Sequence, residues 1–206
     1  MATSTKNIAV IIGSTRVNRI GDQVSEFIRA VLSSEQVGIP VALNLVDIKA
    51  FNLPLFDEAV MPATVPAQAQ FANKHSIKWN AEIEKYDAYV FVTPEYNFGV
   101  PGATKNAIDY LYHAWIGKPV LIVSYGIMGG KSASESLKTT LEGMRLQVVE
   151  PRPAFEFPER NAEQHNMSPG LMGAMGGRLV DSVVADWKTK TDELLSGYNN
   201  LIQKLQ

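Results

Sequence analysis

Short blocks of apolar residues alternate along this chain with longer stretches in which apolar side chains return every three or four positions. Residues 8–12 (Ile-Ala-Val-Ile-Ile) are apolar throughout and end at Gly13, the pattern of a strand covered on both faces. Beyond Gly21, the residues Val24, Phe27, Ile28, Val31 and Leu32 fall on one helical face. Residues 41–47 alternate enough for a second strand, and a helix is predicted over 68–86 with Phe71, His75, Trp79 and Ile83 along it. A third strand starts at Asp87-Ala88 and runs through Phe91-Val92-Thr93. The next helix opens at Pro101-Gly102, because the fixed φ of proline suits a first helical turn. Residues 119–124 predict a fourth buried strand, a helix follows through Ser134, Leu137, Leu141 and Met144, and residues 147–149 supply a fifth strand. The pattern closes on a helix over 179–205, with Val183, Trp187, Leu194 and Leu201 among its apolar positions.

This alternation predicts an α/β fold with a doubly wound, five-stranded parallel sheet, order 2-1-3-4-5. In such a sheet the order reverses between strands 1 and 3, and ligands bind at the carboxyl ends there. Two stretches escape the pattern. Residues 50–66 hold Pro54, Pro62 and Pro66, a density that predicts an ordered loop without regular elements. Residues 151–177, rich in Pro, Gly, Met and Asn, read as an extended excursion or a lid, with Met172 and Met175 an adaptable surface.

With 206 residues and 46% hydrophobic content, one α/β core is affordable. A net charge of −2 points away from nucleic acid and from a polybasic membrane surface. The absence of cysteine excludes disulfides, thiolate metal sites and a cysteine nucleophile. His75, His113 and His165 have no second ligand at metal spacing. The amino-terminal residues lead straight into a strand, and no apolar run reaches the roughly 18 residues that span a bilayer. A soluble cytoplasmic protein is the expectation.

Chemistry concentrates in the loops after strands 1, 3 and 4, which the predicted topology sets side by side. The first, 13–21, is a strand–turn–helix in which free helical N–H groups attract an anion. Ser14, Thr15 and Asn18 can add donors, and Arg16 or Arg19 a charge-assisted pair. It carries neither a G-x-G-x-x-G nor a P-loop. The second loop presents Pro94, Glu95, Tyr96, Asn97 and Phe98, groups suited to holding a flat heterocycle and containing no nucleophile. The third, Tyr125 to Gly130, is a glycine-rich turn.

Thr93-Pro94-Glu95-Tyr96-Asn97, continuing through Pro101-Gly102 to Lys105-Asn106-Ala107-Ile108-Asp109, resembles the signature of the NADPH-dependent FMN reductases, which are flavodoxin-like quinone, azo and flavin reductases. Gly13-Ser14-Thr15-Arg16 is similar to that family's phosphate loop, and Ser124-Tyr125-Gly126 with Gly129-Gly130 to its third flavin loop. The resemblance spans about residues 6–150. It implies a flavodoxin-like three-layer sandwich, a single FMN-binding domain over 1–206, and NADPH or NADH as hydride donor. It also implies a homodimer or homotetramer with the flavin near a subunit interface. Carried over by residue, Ser14 and Arg16 would hold the phosphate, together with Asn18 or Arg19. Pro94, Glu95, Tyr96, Asn97 and Phe98 would meet the isoalloxazine, with Ser124, Tyr125, Gly126 and Gly129 flanking it. No side chain is implied as acid or base, since the flavin carries the chemistry. The expected activity is ping-pong reduction of quinones, azo compounds or free flavins by NAD(P)H. A flavodoxin-like electron carrier or redox-sensing protein is the alternative, and a carrier would usually be more acidic.

Overall fold

The apolar blocks build a sheet that is parallel throughout. In the computed structural model, which describes residues 4–158 and 167–206, the strands are β1 (Lys6–Ile12), β2 (Val41–Asp47), β3 (Ala88–Pro94), β4 (Pro119–Gly126), β5 (Gln147–Val148) and β6 (Ala154–Glu156). The order is β2-β1-β3-β4-β5, with β6 also paired to β4. The helices are α1 (Gly21–Ser34), α2 (Ile48–Phe51), α3 (Lys74–Ile83), α4 (Gly102–Asp109), α5 (Lys131–Gly143), α6 (Pro169–Met175), α7 (Asp181–Lys188) and α8 (Asp192–Gln203).

Alternation along β1 divides the core into two faces. Ile8 and Val10 join Val24 and Ile28 of α1, Trp187 of α7 and Tyr198 of α8. Ala9 and Ile11 join Trp79 of α3, Ile108 of α4, Trp115 and Leu137 of α5. Helices therefore cover both faces of the sheet in three layers. This is why β1, β3 and β4 read as unbroken apolar runs and not as half-polar ones.

Four expectations need correction. The fifth strand position is shared. β5 pairs with Pro119 and Val120 at the start of β4, and β6 with Ser124, Tyr125 and Gly126 at its end. Pro151 and Pro153 lie between β5 and β6 and lack the N–H a continuous ladder needs. The excursion at 151–177 thus begins inside the sheet and later forms α6; its middle, with His165, lies outside the described residues. The helix predicted over 68–86 occupies only Lys74–Ile83. The Glu58 carboxylate takes the N–H groups of Ala72 (3.0 Å) and Asn73 (2.9 Å), which holds the preceding chain outside the helix. The proline-rich loop contains the end of α2 and a 3₁₀ turn at Pro62–Thr64. The terminal helix is two helices. Between them the hydroxyls of Thr189 and Thr191 donate back to the carbonyls of Asp186 (2.7 Å) and Lys188 (3.2 Å), a competition that ends helices.

Register aligns the three chemically rich loops. Ile12 pairs with Val92, and Pro94 with Tyr125, so β1, β3 and β4 release their chains at one edge. The Gly13 N–H donates to the Val92 carbonyl (2.9 Å), and the Thr104 hydroxyl of α4 donates to the Gly13 carbonyl (2.5 Å). Among the described residues no helix is long and apolar enough to cross a membrane.

Candidate functional site

At the carboxyl edge of β1, β3 and β4 lies a cleft of about 760 Å³, within the roughly 300–1,000 Å³ usual for small-molecule sites. Arg16, Asn18 and Arg19 line it from the first loop, Pro94, Glu95 and Tyr96 from the second, and Tyr125 and Gly126 from the third. Eight of the thirteen sequence-derived candidates thus share one cavity. Ser14, Asn97, Phe98, Ser124 and Gly129 are not part of its lining, and their positions explain why.

Ser14 lies beneath the first loop. Its Oγ is buried and has no partner in good hydrogen-bond geometry, although the Tyr125 hydroxyl stands alongside. A buried hydroxyl in that state is costly unless a ligand completes it. Next to it α1 begins without a side-chain cap at Ile20. Among the described residues no acceptor is recorded for the N–H groups of Gly21, Asp22 or Gln23. The cradle is tight. A Cβ built on Gly21 would stand 1.9 Å from Ser14 Oγ and 2.9 Å from the Tyr125 hydroxyl. An uncapped helix start plus an unsatisfied buried donor is the donor set a phosphate requires, so the residues present fit the phosphate end of FMN.

The two arginines of this loop have different surroundings. The Arg16 guanidinium is exposed to the cleft and lies 3.5 Å from the centre of the Tyr96 ring, joining the first and second loops by a cation–π contact. Arg19 forks onto Asp47 of β2 through Nη1 to Oδ1 (2.8 Å) and Nη2 to Oδ2 (2.5 Å), and Nη1 also donates to the Ser14 carbonyl (2.6 Å). That hydrogen-bonded pair, more than any other cause, holds the Arg19 pKa above its ordinary value. Arg19 thus braces the loop that displays Ser14. Asn18 is exposed at the cleft wall.

In the second loop Glu95 bonds to the third loop twice. Its N–H donates to the Tyr125 carbonyl (3.2 Å), and its carboxylate accepts the Ala133 N–H (3.1 Å) in the first turn of α5. The side chain of Glu95 is therefore a remote cap for α5. Tyr96 and Gly99 exchange both backbone hydrogen bonds at 3.1 Å, which makes Asn97 and Phe98 the two central residues of a tight hairpin. Both have positive φ, 50° and 62°, as a type I′ turn demands. Asn tolerates that region; Phe rarely does. Phe98 is also 83% exposed, an aromatic ring held in an unfavourable backbone state at the tip of the loop. Burial raises the pKa of the half-buried Tyr96, against the field of Arg16, and burial also raises that of Tyr125. Both phenols are neutral donors near pH 7.

In the third loop, Ser124 and Gly129 set the shape of the turn. The Ser124 hydroxyl donates to the Gly129 carbonyl (2.7 Å). Gly129 (φ 73°) sits so close to β6 that a Cβ would meet that of Ala154 at 3.0 Å.

Sequence reasoning allowed a lid at 151–177 but assigned none of its residues to the site, and the wall facing these loops comes from that segment. Phe157, Met167, Leu171, Ala174 and Met175 line the cleft, most of them on or beside α6. The available signal was Leu171, Ala174 and Met175 at helical spacing, obscured by the glycines between them.

Comparison with known proteins agrees with this geometry. A family model described as NADPH-dependent FMN reductase matches residues 6–159. An NAD(P)H-dependent FMN reductase of Nectria sp is 42% identical over 167 residues, covering 81% of this chain and 83% of that protein. A quinone reductase of Escherichia coli (strain K12) is 31% identical over 156 residues, 72% and 75% of the two chains. The fold is shared with the flavoenzyme FerB, an NAD(P)H:(acceptor) oxidoreductase from Paracoccus denitrificans, at TM-score 0.64 and 22% identity, covering 97% of this chain and 98% of that one. A sandwich of this order with three ligand loops at one edge, matched over most of its length by that family model, leaves one assignment: the chain belongs to the NADPH-dependent FMN reductase family.

Proposed function

We propose that this FMN-dependent NAD(P)H oxidoreductase delivers its electrons to a flat, quinone-like acceptor, and that it works as a single FMN-binding domain within a homodimer or homotetramer. Bound FMN supplies hydride exchange between NAD(P)H and the acceptor, chemistry that no side chain of the cleft offers. The protein's part is binding and orientation. The N-terminus of α1 and Ser14 hold the phosphate, with Arg16 supplying positive charge. Pro94, Glu95 and Tyr96 form one edge of a shelf for the ring, and Tyr125 with Gly126 the other. Asn97 and Phe98, at the exposed tip and outside the cleft lining, are available to a partner subunit. The observation that carries the reading is the buried Ser14 hydroxyl without a well-formed hydrogen bond beside an uncapped helix start, beneath a loop that walls a cleft of about 760 Å³.

The test is spectroscopic. Purified protein loaded with FMN is mixed anaerobically with NADPH, and a quinone is added after the flavin absorbance is lost. Bleaching within seconds followed by recovery on quinone addition is expected. Bleaching without recovery removes the quinone-like acceptor, and persistent colour favours an electron carrier.

A further inference from the structure

We propose that α6 is the acceptor-selecting wall of the cleft, favouring acceptors that carry an uncharged apolar flank over bare or charged ones. The inference rests on the function proposed above and adds no chemical step to it. It concerns a segment beyond the residues the family model matches, since α6 covers Pro169–Met175 and that match ends at 159.

Three features make α6 a built surface. Its start is capped, the Ser168 hydroxyl accepting the Leu171 N–H (3.2 Å). Its inner face is bare. Cβ atoms on Gly170 and Gly173 would stand 2.5 Å from Val183 Cγ2 and 2.6 Å from Val180 Cγ1, so only glycine lets the helix lie this close to the start of α7. Its exit is clamped to α1 by Gln23, which donates to the Gly177 carbonyl (2.9 Å) and accepts the Leu179 N–H (2.9 Å).

The face left over looks into the cleft. Leu171, Ala174 and Met175 follow at positions i, i+3 and i+4, with Met167 one turn earlier, and all four line the cavity. None carries charge. Opposite them, Val17 and Ile127 line the same cavity while 90% and 43% exposed. The α6 wall is thus apolar throughout, and Val17 and Ile127 add apolar surface to the lining, whereas its charged groups, Arg16, Arg19 and Glu95, all come from the first and second loops. Thioether side chains adapt their shape to differing apolar partners. An alkyl-substituted quinone has the matching form, a planar ring for the interior and a hydrocarbon flank for the rim.

α6 contains its own control. Met172 and Met175 are 60% and 59% exposed, yet only Met175 lines the cleft. The experiment uses FMN-loaded full-length protein and two acceptors, 1,4-benzoquinone and a decyl-substituted benzoquinone, and reads the ratio of their kcat/KM values. Met175→Lys is expected to lower the decyl-to-bare ratio at least about tenfold, because each buried methylene is worth roughly a factor of four. Met172→Lys should leave it within about twofold, as surface changes usually do. Met175→Leu should keep the wild-type ratio. An unchanged ratio in Met175→Lys overturns the proposal, as does an equal fall in Met172→Lys, which would make the effect one of general surface charge. A rise in the FMN dissociation constant of Met175→Lys that parallels its falling ratio also overturns it, by assigning the wall to the flavin. If NADPH fails to bleach the wild-type flavin, the reading of the site fails and the proposal with it. Bleaching combined with an unchanged ratio strikes α6 alone.

Discussion

The junctions β1–α1 and β4–α5 are written in the same local grammar, yet one is open and the other closed. Each is a buried strand, a turn of glycine and hydroxyl residues, and an amphipathic helix. At β4–α5 the turn is drawn shut by Ser124 on the Gly129 carbonyl, and the Glu95 carboxylate reaches across from the second loop to take the Ala133 N–H. At β1–α1 nothing comparable arrives. Ser14 keeps an unsatisfied hydroxyl, and the first turn of α1 has no side-chain cap. α5 has one of its first N–H groups met by a distant carboxylate, and α1 has none among the described residues. A helix start left open in that way attracts an anion. The difference lies in a residue 38 positions away in sequence.

The comparison breaks most sharply at the glycines. Gly21→Ala places a methyl group 1.9 Å from Ser14 Oγ, inside the proposed phosphate cradle. FMN affinity should fall on the order of a hundredfold, about 2.7 kcal/mol, as read by flavin fluorescence titration. Gly126→Ala at the other junction brings its nearest contact to only 3.4 Å, the Gly130 nitrogen, and should cost far less. Similar losses from both would show that tightness in general, and not an open cradle, governs binding.

Next in size is the brace. Arg19→Met leaves Asp47 without its fork and the Ser14 carbonyl without its donor. The pair is mostly buried, with side-chain exposures of 12% and 28%. Removing one member of such a pair should lower stability by about 2 kcal/mol, read by urea denaturation of the flavin-free protein. A stability loss with no change in the salt dependence of FMN binding would separate Arg19 from Arg16. Arg16→Ala should show the reverse.

Ser14→Ala is smaller and opposite in kind. In the free protein the hydroxyl has only the adjacent Tyr125 hydroxyl to lose, so stability should change little. A bond to phosphate is worth about 1.5–3 kcal/mol, so FMN affinity should fall about tenfold or more. A loss of stability with unaltered flavin affinity would make Ser14 part of the core and not of the site.

What the sequence could and could not disclose follows the same division. Strands β1, β3 and β4 were readable because burial on both faces leaves unbroken apolar runs, and β2, at the edge of the sheet, from its alternation; together they fixed the order and the edge bearing the three loops. The loops were readable because a Tyr96-Asn97-Phe98 run beyond a buried strand has no packing reason to be there. Arg16 and Arg19 looked equivalent, since nothing near them announces that Asp47 will capture one. The second role of Glu95, as a cap, was invisible because it depends on where α5 begins. The wall formed by α6 was hidden by the glycines that let it pack. For Arg19 and Glu95 the missing information was a contact between residues far apart in sequence, which no local pattern encodes.

Glu95 gives the finest test, because it follows β3, the strand between the two junctions, and is bonded to one of them. Its carboxylate caps α5, and its backbone N–H ties the second loop to Tyr125. Glu95→Ala removes only the cap. Stability should drop by about 1 kcal/mol, measured in urea, and FMN affinity should change less than in Ser14→Ala. Glu95→Gln keeps an oxygen that can accept the Ala133 N–H and should fall between Glu95→Ala and wild type in stability. If instead Glu95→Gln and Glu95→Ala weaken FMN equally while leaving stability alone, the carboxylate acts on the flavin directly. The closed junction would then be part of the site, and the distinction between the two helix starts would concern only the phosphate.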